Sequence, residues 1–234
     1  MRILSLIALL LLLPFEGLSQ SGISTTFLVR IENISEEDTL QAPSGNVALP
    51  LAPGVWVLHT NARPLFASGF ADPGLGLEAL AEDGNPAQLA TSLSSQAGVI
   101  SSGVFNTPVG ASEPGPLLPG GAYEFVITAS RGEQLSFATM FVQSNDLFYA
   151  PNELGLVLFD SRGLPVEGDV TSTIRLWDAG TEVNQPPGIG LDQAPRQVRP
   201  NVGQNENGVV RQVNDDDEYP DVDEVIRVTI TPQR

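Results

Sequence analysis

Large apolar side chains recur with a period of two in several short runs of this chain, and little besides a β-sheet accepts that pattern. Phe27, Val29 and Ile31 are interleaved with Leu28, Arg30 and Glu32, and Tyr123, Phe125 and Ile127 with Glu124, Val126 and Thr128. Leu135, Phe137, Thr139 and Phe141 alternate with Ser136, Ala138, Met140 and Val142, and Ile226, Val228 and Ile230 with Arg227 and Thr229. Successive side chains of a strand point to opposite faces, so each run offers one face to a core. The 23 glycines and 19 prolines fall largely between such runs, as turn residues do. Short strands broken by frequent turns predict an all-β fold, an antiparallel β-sandwich. Two short helices interrupt it. Residues 75–82 carry Leu75, Leu77, Ala79 and Leu80 near helical spacing, with Gly84 suited to a left-handed stop. Asn85-Pro86 then opens a second helix over residues 87–93, with Leu89 and Leu93 on one face. The expectation is a helical hairpin inserted in the sandwich, not a second domain.

Residues 1–19 read as a secretory leader. A short positive start precedes an apolar run over residues 3–13, which Pro14 and Gly17 end, and Gly17-Leu18-Ser19 supplies small residues for cleavage after Ser19. The run is shorter than the roughly 18–20 residues of a spanning helix, and no other long apolar run follows, so no transmembrane segment is expected. Residues 20–234 then form one domain, with a long irregular loop over residues 183–220, secreted or periplasmic and without any cysteine to cross-link it. The chain carries 28 acidic against 11 basic residues, a formal −17, and every basic residue is an arginine. Such a surface repels phosphate, so no nucleic acid is expected as partner. With no cysteine and His59 as the single histidine, a multi-histidine zinc or copper site has no ligands. Any bound metal must take oxygen ligands, as calcium or magnesium does.

Two segments bring acidic oxygens to strand ends. SFATMFVQSNDLFYA, residues 136–150, runs from a strand into Asp146. IRLWDAGTEVNQPPG, residues 174–188, ends a strand at Asp178 and turns at Gly180 into Glu182. Asp146, Asp178 and Glu182 could converge on one hard cation, with Asn145, Asn184 and the Thr181 hydroxyl nearby. The same spacing also fits a turn whose Asp178 merely accepts its own backbone N–H.

The two segments together resemble the spondin domain, the N-terminal module of F-spondin and mindin, in its stand-alone exported microbial form. The resemblance is carried by S-x-A-T-M-F-V-Q-S-N-D-L-F and L-W-D-A-G-T-E-x-N. Val57-Leu58-His59-Thr60, Pro64-Leu65-Phe66-Ala67-Ser68-Gly69, Gly76-Leu77-Glu78-Ala79-Leu80-Ala81-Glu82-Asp83-Gly84 and GIGLDQAPRQ at residues 188–197 add to it, so that it spans roughly residues 25–230. It implies a sandwich related in shape to C2 domains and one Ca2+ ion held by Asp146, Asp178 and Glu182. Glu182 stands where the family often has Asp, and Leu147 where it often has Trp. The function it implies is a secreted, non-enzymatic, calcium-binding adhesion or recognition module. Its partner would be a cell-surface or matrix glycan or protein.

Other residues invite sharper readings. His59 has serines in plenty but no G-x-S-x-G elbow, so a structural role at a strand end is expected. Glu78, Glu82 and Asp83 lie on or beside one helix and raise the alternative of a hydrolase acting on glycan through carboxylates. Trp56 and Trp177 are the only tryptophans, few for a sugar cleft, and read as packing residues. The run Asp215-Asp216-Asp217-Glu218 is either a loose cation collector or a solvated loop tip. A purely structural envelope or matrix protein is the third class the sequence allows.

Overall fold

The computed structural model describes residues 24–60, 63–213 and 217–233. Residues 1–19, where a leader is expected, and Asp215 and Asp216 of the acidic run lie outside the described residues.

The strands are β1 Thr25–Asn33, β2 Gln41–Ala42, β3 Gly45–Asn46, β4 Leu51–His59, β5 Val99–Phe105, β6 Ala122–Ala129, β7 Gln134–Phe141, β8 Leu147–Ala150, β9 Leu156–Val157, β10 Gly168–Asp169, β11 Arg175–Asp178, β12 Arg211–Gln212 and β13 Ile226–Gln233. Helices α1 Leu77–Asp83, α2 Ala87–Leu93 and α3 Val222–Val225 complete the set, with a single 3-10 turn at Thr171–Thr173. One sheet has the order β10-β13-β1-β6. The other runs β12-β11-β8-β7-β4-β5, with β9 also paired to β7, and every pairing is antiparallel. β2 and β3 form a separate two-stranded ribbon. The predicted antiparallel sandwich is what the chain forms.

The four-stranded sheet keeps the alternation legible in the sequence. In β1 every second residue from Phe27 to Asn33 is buried, and in β13 Ile226, Val228 and Ile230 are. Register follows from that pattern, since a slip of one residue would turn the apolar set to solvent. These side chains meet Leu135, Phe137, Phe141 and Tyr149 of the larger sheet to make the central core. Phe105 stacks on Phe125, which also stacks on Trp56, at ring centroid distances of 5.5 and 5.6 Å.

The larger sheet departs from alternation because both of its faces are covered. Seven consecutive residues of β7, Leu135–Phe141, are buried. The face away from the sandwich packs Val55, Val57, Ala138, Phe148 and Trp177 under Leu77, Leu80, Leu89 and Leu93 of the two helices and under Phe66. Gly84 ends α1 in the left-handed conformation at φ 64°, its N–H bonding the Leu80 carbonyl, and the Asn85 side chain accepts the Ala87 N–H at the start of α2. Pro53 sits where the β4–β7 register shifts between Leu51 and Gly54, a bulge that relieves it of the ladder bond it could not donate. At Gly54 a β-carbon would lie 2.2 Å from the Ala138 carbonyl oxygen, so only glycine lets β7 approach there.

His59 closes β4. It is fully buried, and its Nε2 lies 2.9 Å from Ser136 Oγ. Burial lowers its pKa, which keeps it neutral. The pair is sealed beneath Gly155, where a β-carbon would come within 2.7 Å of Ser136 Oγ.

Removing a buried leucine from the helical layer should cost about 2–5 kcal/mol. Leu80→Ala is expected to lower urea stability by that amount. It should also red-shift Trp177 fluorescence, because Trp177 packs on Phe66 at 4.7 Å in the same layer.

Candidate metal centre

Strand pairing decides which carboxylates meet. β8 and β11 run antiparallel with Asp178 opposite Leu147, which sets Asp146 one residue beyond the pair, and the Ala179 N–H bonds the Asp146 carbonyl at 3.2 Å. On the other side of β11, β12 places Arg211 directly opposite Asp178. The ladder continues past the strand ends: Gly208 N–H to Gly180 carbonyl at 2.7 Å, Glu206 N–H to Thr181 carbonyl at 2.9 Å and Val183 N–H to Gln204 carbonyl at 2.8 Å. Residues 204–210 are thereby zipped along the D-A-G-T-E turn. Gly180 permits it, with φ 70° and no room for a side chain, since a β-carbon would stand 2.6 Å from the Val209 nitrogen.

The result is a cluster of Asp146, Asp178 and Glu206, each offering a carboxylate oxygen within 4.8 Å of the others. Asp146 is fully buried and Asp178 2 % exposed. The Oδ2 atom of Asp146 accepts the Thr181 N–H at 2.7 Å, the Thr181 hydroxyl at 3.2 Å and the Glu182 N–H at 3.1 Å. Asp178 Oδ1 accepts the Gly180 N–H at 2.6 Å. Its Oδ2 accepts Asn184 Nδ2 at 2.9 Å and Arg211 Nη2 at 2.6 Å. Glu206 Oε1 is 2.8 Å from the same Arg211 nitrogen. Two oxygens are left over. Asp146 Oδ1 and Glu206 Oε2 are buried and have no hydrogen-bond partner among the described residues.

Buried carboxyls resist ionisation. Burial pushes Asp146 up to about 6, against the N–H groups of Glu182 and Thr181 that pull it down. Asp178 rises to about 7, through burial first and the neighbouring Asp146 charge second, with Arg211 opposing. Glu82 of α1, 4 % exposed, rises to about 8, again mainly through burial.

Asp146 and Asp178 therefore come together as the sequence suggests, and Asp178 also makes the Asx-type bond to Gly180 that the same spacing allows. Glu182 stands outside the cluster. Its backbone binds Asp146, but its carboxylate turns away, accepting Asn145 Nδ2 at 2.9 Å and filling the space beside Gly203. The third carboxylate is Glu206, inside the stretch that reads as an irregular loop. Asn145 is an anchor for that loop: its Oδ1 accepts the Gln185 N–H at 3.0 Å and Gln193 Nε2 at 3.3 Å. Gln193, from GIGLDQAPRQ, is fully buried. The apolar pair Val209-Val210 leads this loop back to the sheet, Val210 being fully buried with its N–H on the Phe70 carbonyl.

Beside the cluster lies an open cleft of about 300 Å³, lined by Asp72, Glu78, Thr181, Asn205 and Asn207 among others. A smaller cavity of about 110 Å³ continues it past Glu78 and Asp83 to Asn201. Glu78 and Asp83 are engaged there by Asn201 Nδ2 at 3.0 Å and Gln197 Nε2 at 2.9 Å. No helix among the described residues is long and apolar enough to cross a membrane. No protein-family model matches this chain, and no curated protein matches it either.

Folded-state pKa values of about 6, 7 and 8 stand above the roughly 4 of unfolded carboxyls. The folded state then holds more protons than the unfolded one, so stability falls as pH rises through that range. In the presence of chelator, the melting temperature should climb as pH drops from about 8 to about 6.5. Below that His59, held neutral in the fold, begins to oppose the gain. Glu82→Gln should remove most of the climb over this window, because its pKa stands highest, and Asp178→Asn a smaller part. A melting temperature that falls over the same window contradicts this electrostatic picture.

Proposed function

We propose that this chain is an exported recognition module of the spondin type, in which a calcium ion held by Asp146, Asp178 and Glu206 orders the loops at one end of the sandwich. One observation carries the reading: the fully buried Asp146 carboxylate keeps an oxygen without a partner, within a cluster of three carboxylates. An isolated buried charge of that kind is costly, and a hard divalent cation removes the cost. The donor set is all oxygen, as calcium prefers. The spondin resemblance supports the same centre through Asp146 and Asp178, with Glu206 in place of Glu182.

The ion's part would be charge neutralisation and cross-linking of the turns at Asp146 and Asp178 to residues 204–210. The cleft beside it, with its carboxylates and amides, is the surface we assign to the partner, an extracellular glycan or protein. Hydrogen-bonding oxygens and side-chain amides suit hydroxyl groups or backbone amides. The acidic surface suits a partner of opposite charge. The leader at residues 1–19 supports export. A hydrolase built on Glu78, Glu82 and Asp83 finds less support, because Glu82 is buried in the helix face and the other two are engaged by Asn201 and Gln197.

Calcium at about 100-fold over its Kd should stabilise the fold by about 2.7 kcal/mol, which for a domain of this size is roughly 5–11 °C in melting temperature. Asp146→Asn and Glu206→Gln should each abolish that shift, whereas Glu182→Gln should retain it. Scanning calorimetry with calcium and with chelator reads all of these. Identical melting of the unmutated protein in both conditions would count against the reading, and loss of the shift in Glu182→Gln alone would restore the ligand set implied by the resemblance.

A further inference from the structure

We infer that Arg211 is a positioning residue of the metal centre, a fixed outer clamp that stays in place when the cation binds; the inference rests on the metal reading above. The argument is in how the carboxylate oxygens are divided. In Asp146 one oxygen is tied by three donors of the Thr181-Glu182 turn, and the other is buried without a partner. In Glu206 Oε1 is tied to Arg211 and Oε2 is buried without a partner. Asp146 and Glu206 are thus each oriented by one oxygen and leave the other for something else, whereas Asp178 has both oxygens engaged. Arg211 Nη2 bridges two of the carboxylates at once, 2.6 Å from Asp178 Oδ2 and 2.8 Å from Glu206 Oε1. The guanidinium thus leaves Asp146 Oδ1 and Glu206 Oε2 open.

The position of Arg211 is set by the fold. It is paired across the ladder with Asp178, on the strand that follows directly from the Glu206 loop. The clamp therefore joins the two chain segments that supply these two carboxylates. Both contacts come from the single Nη2, while Nη1 donates to the Val209 carbonyl at 3.4 Å, so the guanidinium plane is held at a second point. Arg211 also changes the charge to be met. Three carboxylates and one guanidinium carry two net negative charges, the complement of a divalent ion. Donors that orient metal ligands are worth about 10- to 100-fold in metal affinity.

Charge alone and positioning predict opposite signs, which makes the inference testable. Arg211→Gln removes a positive charge near the ion, so simple electrostatics predicts tighter calcium binding. Positioning predicts binding about 10- to 100-fold weaker by isothermal titration calorimetry. Arg211→Lys keeps the charge without the second anchor at the Val209 carbonyl and should fall between the two. The unmutated protein supplies an independent readout should the glutamine variant not fold. Arginine side-chain NMR should show the Arg211 Nη resonances restrained in both cation-free and calcium-saturated protein. Unchanged or tighter binding by Arg211→Gln, or a guanidinium that rotates freely once calcium is added, overturns the inference while leaving the metal centre standing. No calcium binding by the unmutated protein overturns both.

Discussion

Three carboxylates whose oxygens lie within 4.8 Å of one another, two of them almost wholly buried, set the terms for one end of this molecule. Moving a single carboxylate out of water costs several kcal/mol even after relaxation, and like charges nearby add to that. The surrounding residues act against this cost. The Thr181 and Glu182 N–H groups face Asp146, the Gly180 N–H and Asn184 face Asp178, and Arg211 bridges Asp178 to Glu206. What they leave is a pair of buried, unpartnered oxygens, which is why a cation is the natural complement of the site.

The sandwich places this end with little freedom. β8, β11 and β12 are neighbours in one sheet, and the turn after Asp178 continues as a ladder with residues 204–208. The two-helix layer covers the same sheet and brings Glu78 and Glu82 to the edge of the acidic region, where Asp72 of the preceding loop accepts the Glu78 N–H. Loop, helix and strand ends share one electrostatic environment. Neutralising the carboxylates should therefore order the loop as well as the ligands, since Asn145 and Gln193 tie residues 185–197 to the turn that bears Asp146.

Much of this was legible in the chain itself. Alternation marked β1, β6, β7 and β13, and Gly84 and Asn85-Pro86 marked the junction of the two helices. Asp146 and Asp178 could be singled out because Asp178 ends one apolar strand and Asp146 immediately precedes another, which fixes where each carboxylate stands. Glu182 stands outside the cluster for a physical reason. In a turn of this kind its backbone faces the site while its side chain points to the opposite side, where Asn145 receives it. Glu206 and Arg211 were hidden because their place depends on pairing between segments far apart in sequence, within a stretch of Gly, Asn and Gln that carries no period. The full burial of β7 likewise reflects covering helices, which a period-two pattern within one strand does not reveal.

The most direct test is diffraction from crystals grown with calcium, measured at a wavelength where calcium scatters anomalously. The account predicts one anomalous peak bounded by the carboxylates of Asp146, Asp178 and Glu206. A map with no peak there, or with its peak on the Asn145 side against Glu182, would contradict it.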